Sequence, residues 1–379
     1  MEQNKSERLY LPQFDVIRFF AAFVIIIYHA YAAWHGWFGV PGFMSTGDYK
    51  TLTPFGYHLE KLIKNMPLGV DVFFFISGYL LTYLLVMEKE RFGKINIPHF
   101  YIRRGLRIWP LYFFLVALAF IFIRWNGANP PNYTTTLLMV NNFQTIHTQE
   151  WIYPFSHFWS ICIEEHFYLV WPLIIAFVPN RKLIPTIFGL ILLSWAYKSY
   201  TYMFMQGNWY ELYLHTLSRM DVILMGGMLA AFYIRKPFVF KLNGWISAGL
   251  MLVMLVILTF DDVSDFLNMF TGVMRRPVYI ALLALPMMDL LFNPARAKMF
   301  SKRIPLLYLG KVSYGIYMYG NIIVPIVIKK VMLVYGNNIY LFFGLTISLS
   351  LIVPVISYEL LEKPFLKLKQ RFALVKTRI

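Results

Sequence analysis

Cysteine is nearly absent from this chain of 379 residues: Cys162 stands alone. No disulfide can form within the chain, so thiol chemistry indicates no compartment. Charge is scarce as well. Only 14% of residues are Asp, Glu, Lys or Arg, where soluble proteins average about 25%. Phosphate-cradling patterns of the GxxxxGK[ST] and GxGxxG kinds are missing. So are HExxH and CxxC, and with them the usual metal-ligand spacings. There is no internal repeat and no low-complexity linker.

What remains is apolar. Hydrophobic residues make up 59% and aromatics 19%. Ten stretches approach the roughly 20 apolar residues that span a bilayer. They lie near 11–33, 67–87, 105–124, 156–178, 185–205, 217–234, 242–260, 276–293, 306–328 and 339–361. The expected fold is all-α, a polytopic bundle of about ten transmembrane helices over 11–361. A short N-terminus (1–10) and a basic tail (362–379) flank it. The first stretch carries Asp15, Arg18 and His29 and lacks a small-residue cleavage site, so it reads as a helix and not as a removable signal peptide.

The net charge of +16 belongs to membrane topology and not to nucleic-acid binding, for which no soluble basic module exists. With the N-terminus inside, 23 Lys and Arg fall on the cytoplasmic side and 10 on the other. That bias places both termini in the cytoplasm, as in a bacterial-type inner-membrane protein. The expected outer segments 34–66 and 125–155 are rich in Trp, Tyr, Asn, Gly and Pro. They suit capping a cavity or contacting a sugar-like ligand, although interfacial anchoring by aromatics is the plainer reading.

Charged groups inside spans are costly and face polar interiors. Asp15 and Arg18 are i, i+3 on the first helix. His29 follows eleven residues later, about 1,100° around and about 16 Å further out, so all three share a stripe. His29 is the best base candidate, because imidazole titrates near neutrality. Arg104 and Arg107, with Arg103 beside them, stand at the inner end of the third helix, where guanidinium forks suit phosphates. Taken alone, positive-inside flanking charge or contact with anionic membrane lipids is the plainer reading of them. Trp159, Ser160, Glu164 and Glu165 mark the fourth helix. His157 and His166 are nine apart, on opposite faces, and cannot share a metal ion. Asp71 and Ser77 form a further intramembrane polar set on the second helix. Ser77 sits in no nucleophile elbow.

Taken in order, these stretches resemble the acyltransferase-3 family of integral membrane acyltransferases, from about residue 9 to 368. The similar segments are Arg18-x10-His29, Gly69-Val70-Asp71 through Ser77-Gly78-Tyr79, Arg104-x-x-Arg107-Ile108-x-Pro110, and Phe158-Trp159-Ser160 through Glu164-Glu165-His166-Phe167-Tyr168. Two shorter ones follow, Ser313-Tyr314-Gly315-Ile316-Tyr317 and Glu362-Lys363-Pro364-Phe365. Tyr319-Gly320 departs from the pattern, since many relatives carry a histidine there. The resemblance implies transfer of acetyl, or a similar acyl group, from cytoplasmic acyl-coenzyme A, with acetyl-coenzyme A the foremost donor and no metal. The acceptor would be a hydroxyl of a cell-surface glycan, a lipid-linked sugar or a related molecule. Arg103, Arg104 and Arg107 would hold the donor. His29 would act as base or carry the acyl group briefly. Asp15 and Arg18 would balance charge, and Glu164 or Glu165 would orient the imidazole or the acceptor. The form expected is stand-alone, without an appended esterase-like domain, and no oligomeric state follows. The rival classes are a transporter or flippase of a glycan or lipid-linked saccharide, and a non-catalytic assembly partner. Paired broken helices in inverted repeats would favour transport, and the sequence shows none.

Overall fold

In lipid a backbone must satisfy its own hydrogen bonds, so apolar stretches of this length become helices. A computed structural model describes residues 11–38, 53–125, 129, 132–261, 269–301, 304–336 and 338–372, and among them no strand occurs. The ten expected segments appear as α1 (Pro12–Phe38), α2 (Leu68–Phe92), α3 (Ile97–Trp125), α4 (Trp159–Phe177) and α5 (Leu183–Phe204). They continue as α6 (Thr216–Arg235), α7 (Gly244–Phe260), α8 (Arg275–Phe292), α9 (Ile304–Val327) and α10 (Ile339–Ser357). The chain is an all-α polytopic bundle. Among the described residues eight helices are long and apolar enough to cross a membrane. The other two expected spans are helical but differ in kind. α7 has 17 residues, and α8 opens on Arg275 and Arg276 and carries Asp289 near its end.

Two close approaches set the core. α2 and α6 meet at backbone contact, because Gly78 and Gly226 face each other's partner helix. A Cβ on Gly78 would lie 1.8 Å from the Ile223 carbonyl oxygen, and one on Gly226 would lie 1.9 Å from that of Phe75. α9 closes on α1 in the same way, where a Cβ at Gly310 would lie 2.0 Å from the Asp15 carbonyl oxygen. Small residues permit such crossings where no hydrophobic force drives helices together in lipid.

The outward faces are apolar, as lipid requires. α3 exposes Phe113, Phe114, Phe120 and Ile121, and α7 buries only Met254. The segment between α3 and α4 folds back into the bundle instead of lying as a simple outer loop. Asn141 and Asn142 are buried there. Asn142 donates to the Leu214 carbonyl at 3.2 Å, and Asn141 accepts from the Cys162 thiol at 2.7 Å. The short helix Pro54–Lys64, within the first aromatic-rich segment, is tied to the end of α7: Lys61 and Asn65 donate to the Phe260 and Leu258 carbonyls, both at 2.9 Å. Residues 39–52 of that segment lie outside the described residues. Beyond α10 the chain makes a π-helical turn at Tyr358–Glu362 and continues as α11 (Lys363–Lys369).

Candidate active site

The interior holds a cavity of about 220 Å³ bounded by α1, α2, α3, α4, α9 and the Tyr358–Lys369 stretch. Its α2 lining includes residues from Val70 to Leu84, about 21 Å of helix. Its charged lining is unbalanced. Arg18, Arg104, Arg107, Lys311 and Lys369 face Asp15, Glu164 and Glu362.

Local geometry explains each placement. Arg18 pairs with Asp15 at 3.6 Å, one helical turn apart on α1. The Arg104 guanidinium lies between two rings, 5.5 Å from the Phe100 centroid and 5.4 Å from that of Tyr168. Such stacking holds the charge without using up its donors. Arg107, one turn further along α3, lines the same wall. Glu164 accepts hydrogen bonds from Ser77 at 3.0 Å and from Tyr168 at 2.6 Å. The π-helical turn brings Tyr358 and Glu362 to the cavity, and α11 brings Leu366 and Lys369. At the other end Ser160 and Tyr317 touch through their hydroxyls at 2.7 Å.

The structure separates the expected site residues into groups. Asp15, Arg18, Ser77, Arg104, Arg107, Ser160, Glu164 and Tyr317 all line the cavity. Arg103 does not. It pairs with Glu88 at 2.9 Å and donates to the Phe372 carbonyl at 2.8 Å, pinning the inner end of α3. Glu165 turns away as well and accepts from Trp109 at 3.3 Å. His29 lies beyond the Ser160–Tyr317 end. Its ring is 6.4 Å from that of His157, which is itself 5.5 Å from the Tyr317 ring. The expected α1 stripe therefore borders the cavity at Asp15 and Arg18 and passes behind its far wall at His29.

Asp71 and Trp159 belong to a different cluster. Asp71 is fully buried and accepts from Arg219 at 2.6 Å and from Arg276 at 2.8 Å. Lys198 and Asp221 pair beside it at 2.5 Å. The Arg219 guanidinium packs over Trp159, 5.8 Å from its ring centroid, and over Tyr213 at 5.4 Å. Charge counting assigns Lys198, Arg219 and Arg276 to outer segments, whereas here they are buried among α2, α5, α6 and α8. A sequence signal existed, since Arg219 falls inside the expected span 217–234.

Sequence reasoning also gave no role to His157 and Lys369. His157 is buried with both ring nitrogens engaged. Nε2–H donates to the Met318 carbonyl at 3.0 Å, so Nδ1 is the acceptor for the Asn321 amide at 3.1 Å. A neutral imidazole bonded in this way has no lone pair left for proton abstraction. His157 braces α4 against α9.

A helical bundle with eight apolar helices of membrane-crossing length among the described residues, around a cavity lined by five cations, defines a polytopic membrane protein with a charged interior site. The chain belongs to the acyltransferase-3 family, whose model, described as Acyltransferase domain, matches residues 11–359. It is similar to O-acetyltransferase OatA of Staphylococcus aureus strain NCTC 8325, at 29% identity over 97% of this chain and 59% of the relative. SACOL0978 of strain COL is 28% identical over 94% of this chain and 58% of its own length. The chain thus spans about three-fifths of these curated relatives. No solved structure matches it.

Proposed function

We propose that this protein is a membrane O-acetyltransferase that draws acetyl from acetyl-coenzyme A on the cytoplasmic side. It passes the acetyl group to a hydroxyl of a cell-surface glycan or lipid-linked sugar. The observation that supports this best is the excess of cations over acids inside an elongated cavity, since a polyanionic donor needs such a lining and an apolar cargo does not. Arg104 and Arg107 hold the donor phosphates, assisted by Lys369, and Glu164 with Ser77 and Tyr168 orients the arm. The acceptor approaches from the His29 side. Its hydroxyl oxygen bonds to the thioester carbonyl carbon, its proton passes to His29, the C–S bond breaks, and the proton returns to the departing thiolate. Because Ser160 and Tyr317 stand between His29 and the cavity, these side chains part when both substrates are bound. The relatives' names as O-acetyltransferases support the same chemistry.

Arg104→Ala and Arg107→Ala each weaken binding of acetyl-coenzyme A by about 1.5–3 kcal/mol, the worth of a charge-assisted contact. Lysine at either position restores part of this, because it lacks the guanidinium fork. Titration of purified variants with the labelled donor measures the effect. Wild-type affinity in both alanine variants would reduce these arginines to topology signals.

The same reading places both termini in the cytoplasm. A reporter fused after Ile379 gives a cytoplasmic signal, and one inserted at the exposed Glu150 gives an external signal. An external signal at residue 379 removes cytoplasmic access to the donor site.

A further inference from the structure

We propose that Asn321 and Ser156 form the acceptor-binding site, where they hold a hydroxyl of the glycan other than the one that His29 deprotonates. This rests on the reading of the protein as an O-acetyltransferase with His29 as base, and adds the residues that select the acceptor.

α9 carries Asn321 to the level of His29. It runs beside α1 in the same direction. A Cβ on Gly310 would meet the Asp15 carbonyl oxygen, and one on Gly320 would lie 2.9 Å from Ile26 Cγ1. Gly320 thus permits the close approach. Asn321 follows it directly, and His29 stands about one helical turn beyond Ile26. His157 joins the two. Its ring lies 6.4 Å from that of His29, and its Nδ1 accepts from the Asn321 amide at 3.1 Å.

Hydrogen-bond counting gives the chemistry of the ligand. Asn321 Nδ2 directs one hydrogen to His157 Nδ1 and the other to Ser156 Oγ, at 2.8 Å. The amide cannot be turned over. Its oxygen would then face the lone pair of Nδ1, since the ring proton sits on Nε2, bonded to the Met318 carbonyl. Two groups are left over among the described residues. Asn321 Oδ1 accepts no hydrogen bond, and the Ser156 hydroxyl donates none. Neither ring nitrogen of His29 has a hydrogen-bond partner among them. An acceptor and a donor side by side match a hydroxyl, which both gives and takes a hydrogen bond; an ammonium or a carboxylate would satisfy only one of them. A sugar carries such a second hydroxyl close to the reacting one, and a monohydric alcohol does not. Asn321 and Ser156 also keep part of their surface accessible, whereas His157 is buried. The same two segments carry the exposed Tyr153 and Lys329, whose Nζ lies 5.8 Å from the Tyr153 ring centroid.

The test is a deoxy-sugar series. Full-length protein in lipid vesicles is given labelled acetyl-coenzyme A with methyl glucoside or with each of its monodeoxy analogues. The acceptor kcat/KM is measured, and the acetylated position is read from the product. The wild type loses about tenfold on one analogue besides the one that lacks the acetylated hydroxyl. Asn321→Ala uses the intact glucoside about tenfold less well and shows no further loss on that analogue, because the contact is already gone. A merely structural asparagine would lower all acceptors alike and preserve the difference between them. Ser156→Ala shrinks the same difference, and it stands in if Asn321→Ala does not accumulate in the membrane. A wild type indifferent to every non-reacting hydroxyl overturns the acceptor site and leaves the acetyltransferase standing. So does an unchanged pattern in the variants, and so does release of acetyl to water with no glucoside product. Acetyl that never leaves coenzyme A overturns both.

Discussion

Replacing His29 with alanine lowers acetyl transfer by about 10²–10⁴-fold while the protein still inserts at normal abundance, the range that general-base catalysis supplies. His29 is half-buried, in edge contact with Tyr28 at 5.1 Å and with His157 at 6.4 Å between ring centroids. His157 cannot substitute for it as a base, because both of its ring nitrogens are already engaged. Glutamine at position 29 preserves size and polarity but accepts no proton near neutral pH, so it fails as alanine does. Turnover is measured on purified protein, with membrane levels checked in parallel. Near-normal transfer by His29→Ala removes it from the mechanism. Glu164, which lines the cavity itself, then becomes the leading base.

Asp71→Ala is expected to have the largest effect on stability. It leaves Arg219 and Arg276 buried without their shared carboxylate, and breaking a buried pair from one side costs about 3–5 kcal/mol. Arg219 is almost wholly inaccessible, and among the described residues its Nε has no hydrogen-bond partner, nor does that of Arg276. The cost should be visible as a lowered Tm in detergent and as reduced membrane accumulation. Replacing all three charges together with Leu and Met recovers much of the loss, because the penalty lies in the uncompensated charges and not in the missing bridge. If Asp71→Ala melts like the wild type, the cluster carries no structural weight, and Asp71 returns to the set of functional candidates.

Much of this arrangement could be read from residue order, and the failures have identifiable physical causes. The helices were legible because lipid leaves an apolar stretch one outcome. Asp15, Arg18, Arg104 and Arg107 were legible because charge inside a span must face something polar. Glu164 and Glu165 could not be told apart. Successive helix positions point about 100° apart, and the choice is made by α2, which presents Ser77 to Glu164. The far wall was not legible either. It forms where Ser160 of α4 meets Tyr317 of α9, 157 residues away in sequence, and no helical periodicity encodes that meeting. The buried arginines were misplaced for another reason. Counting charge by side treats every Lys or Arg near a helix end as solvent-facing, whereas α2, α6 and α8 converge there and enclose Asp71.

The proposed function stands or falls on removal of acetyl from acetyl-coenzyme A by this protein. Purified protein in sealed vesicles, given acetyl-coenzyme A labelled in the acetyl group, tests it most directly. The prediction is protein-dependent loss of label from coenzyme A. That loss falls by about 10²-fold or more in His29→Ala, and with Arg104→Ala it requires higher donor concentrations. Label that stays on coenzyme A with wild-type protein and glycan acceptor present, or equal turnover by wild type and both variants, would contradict it.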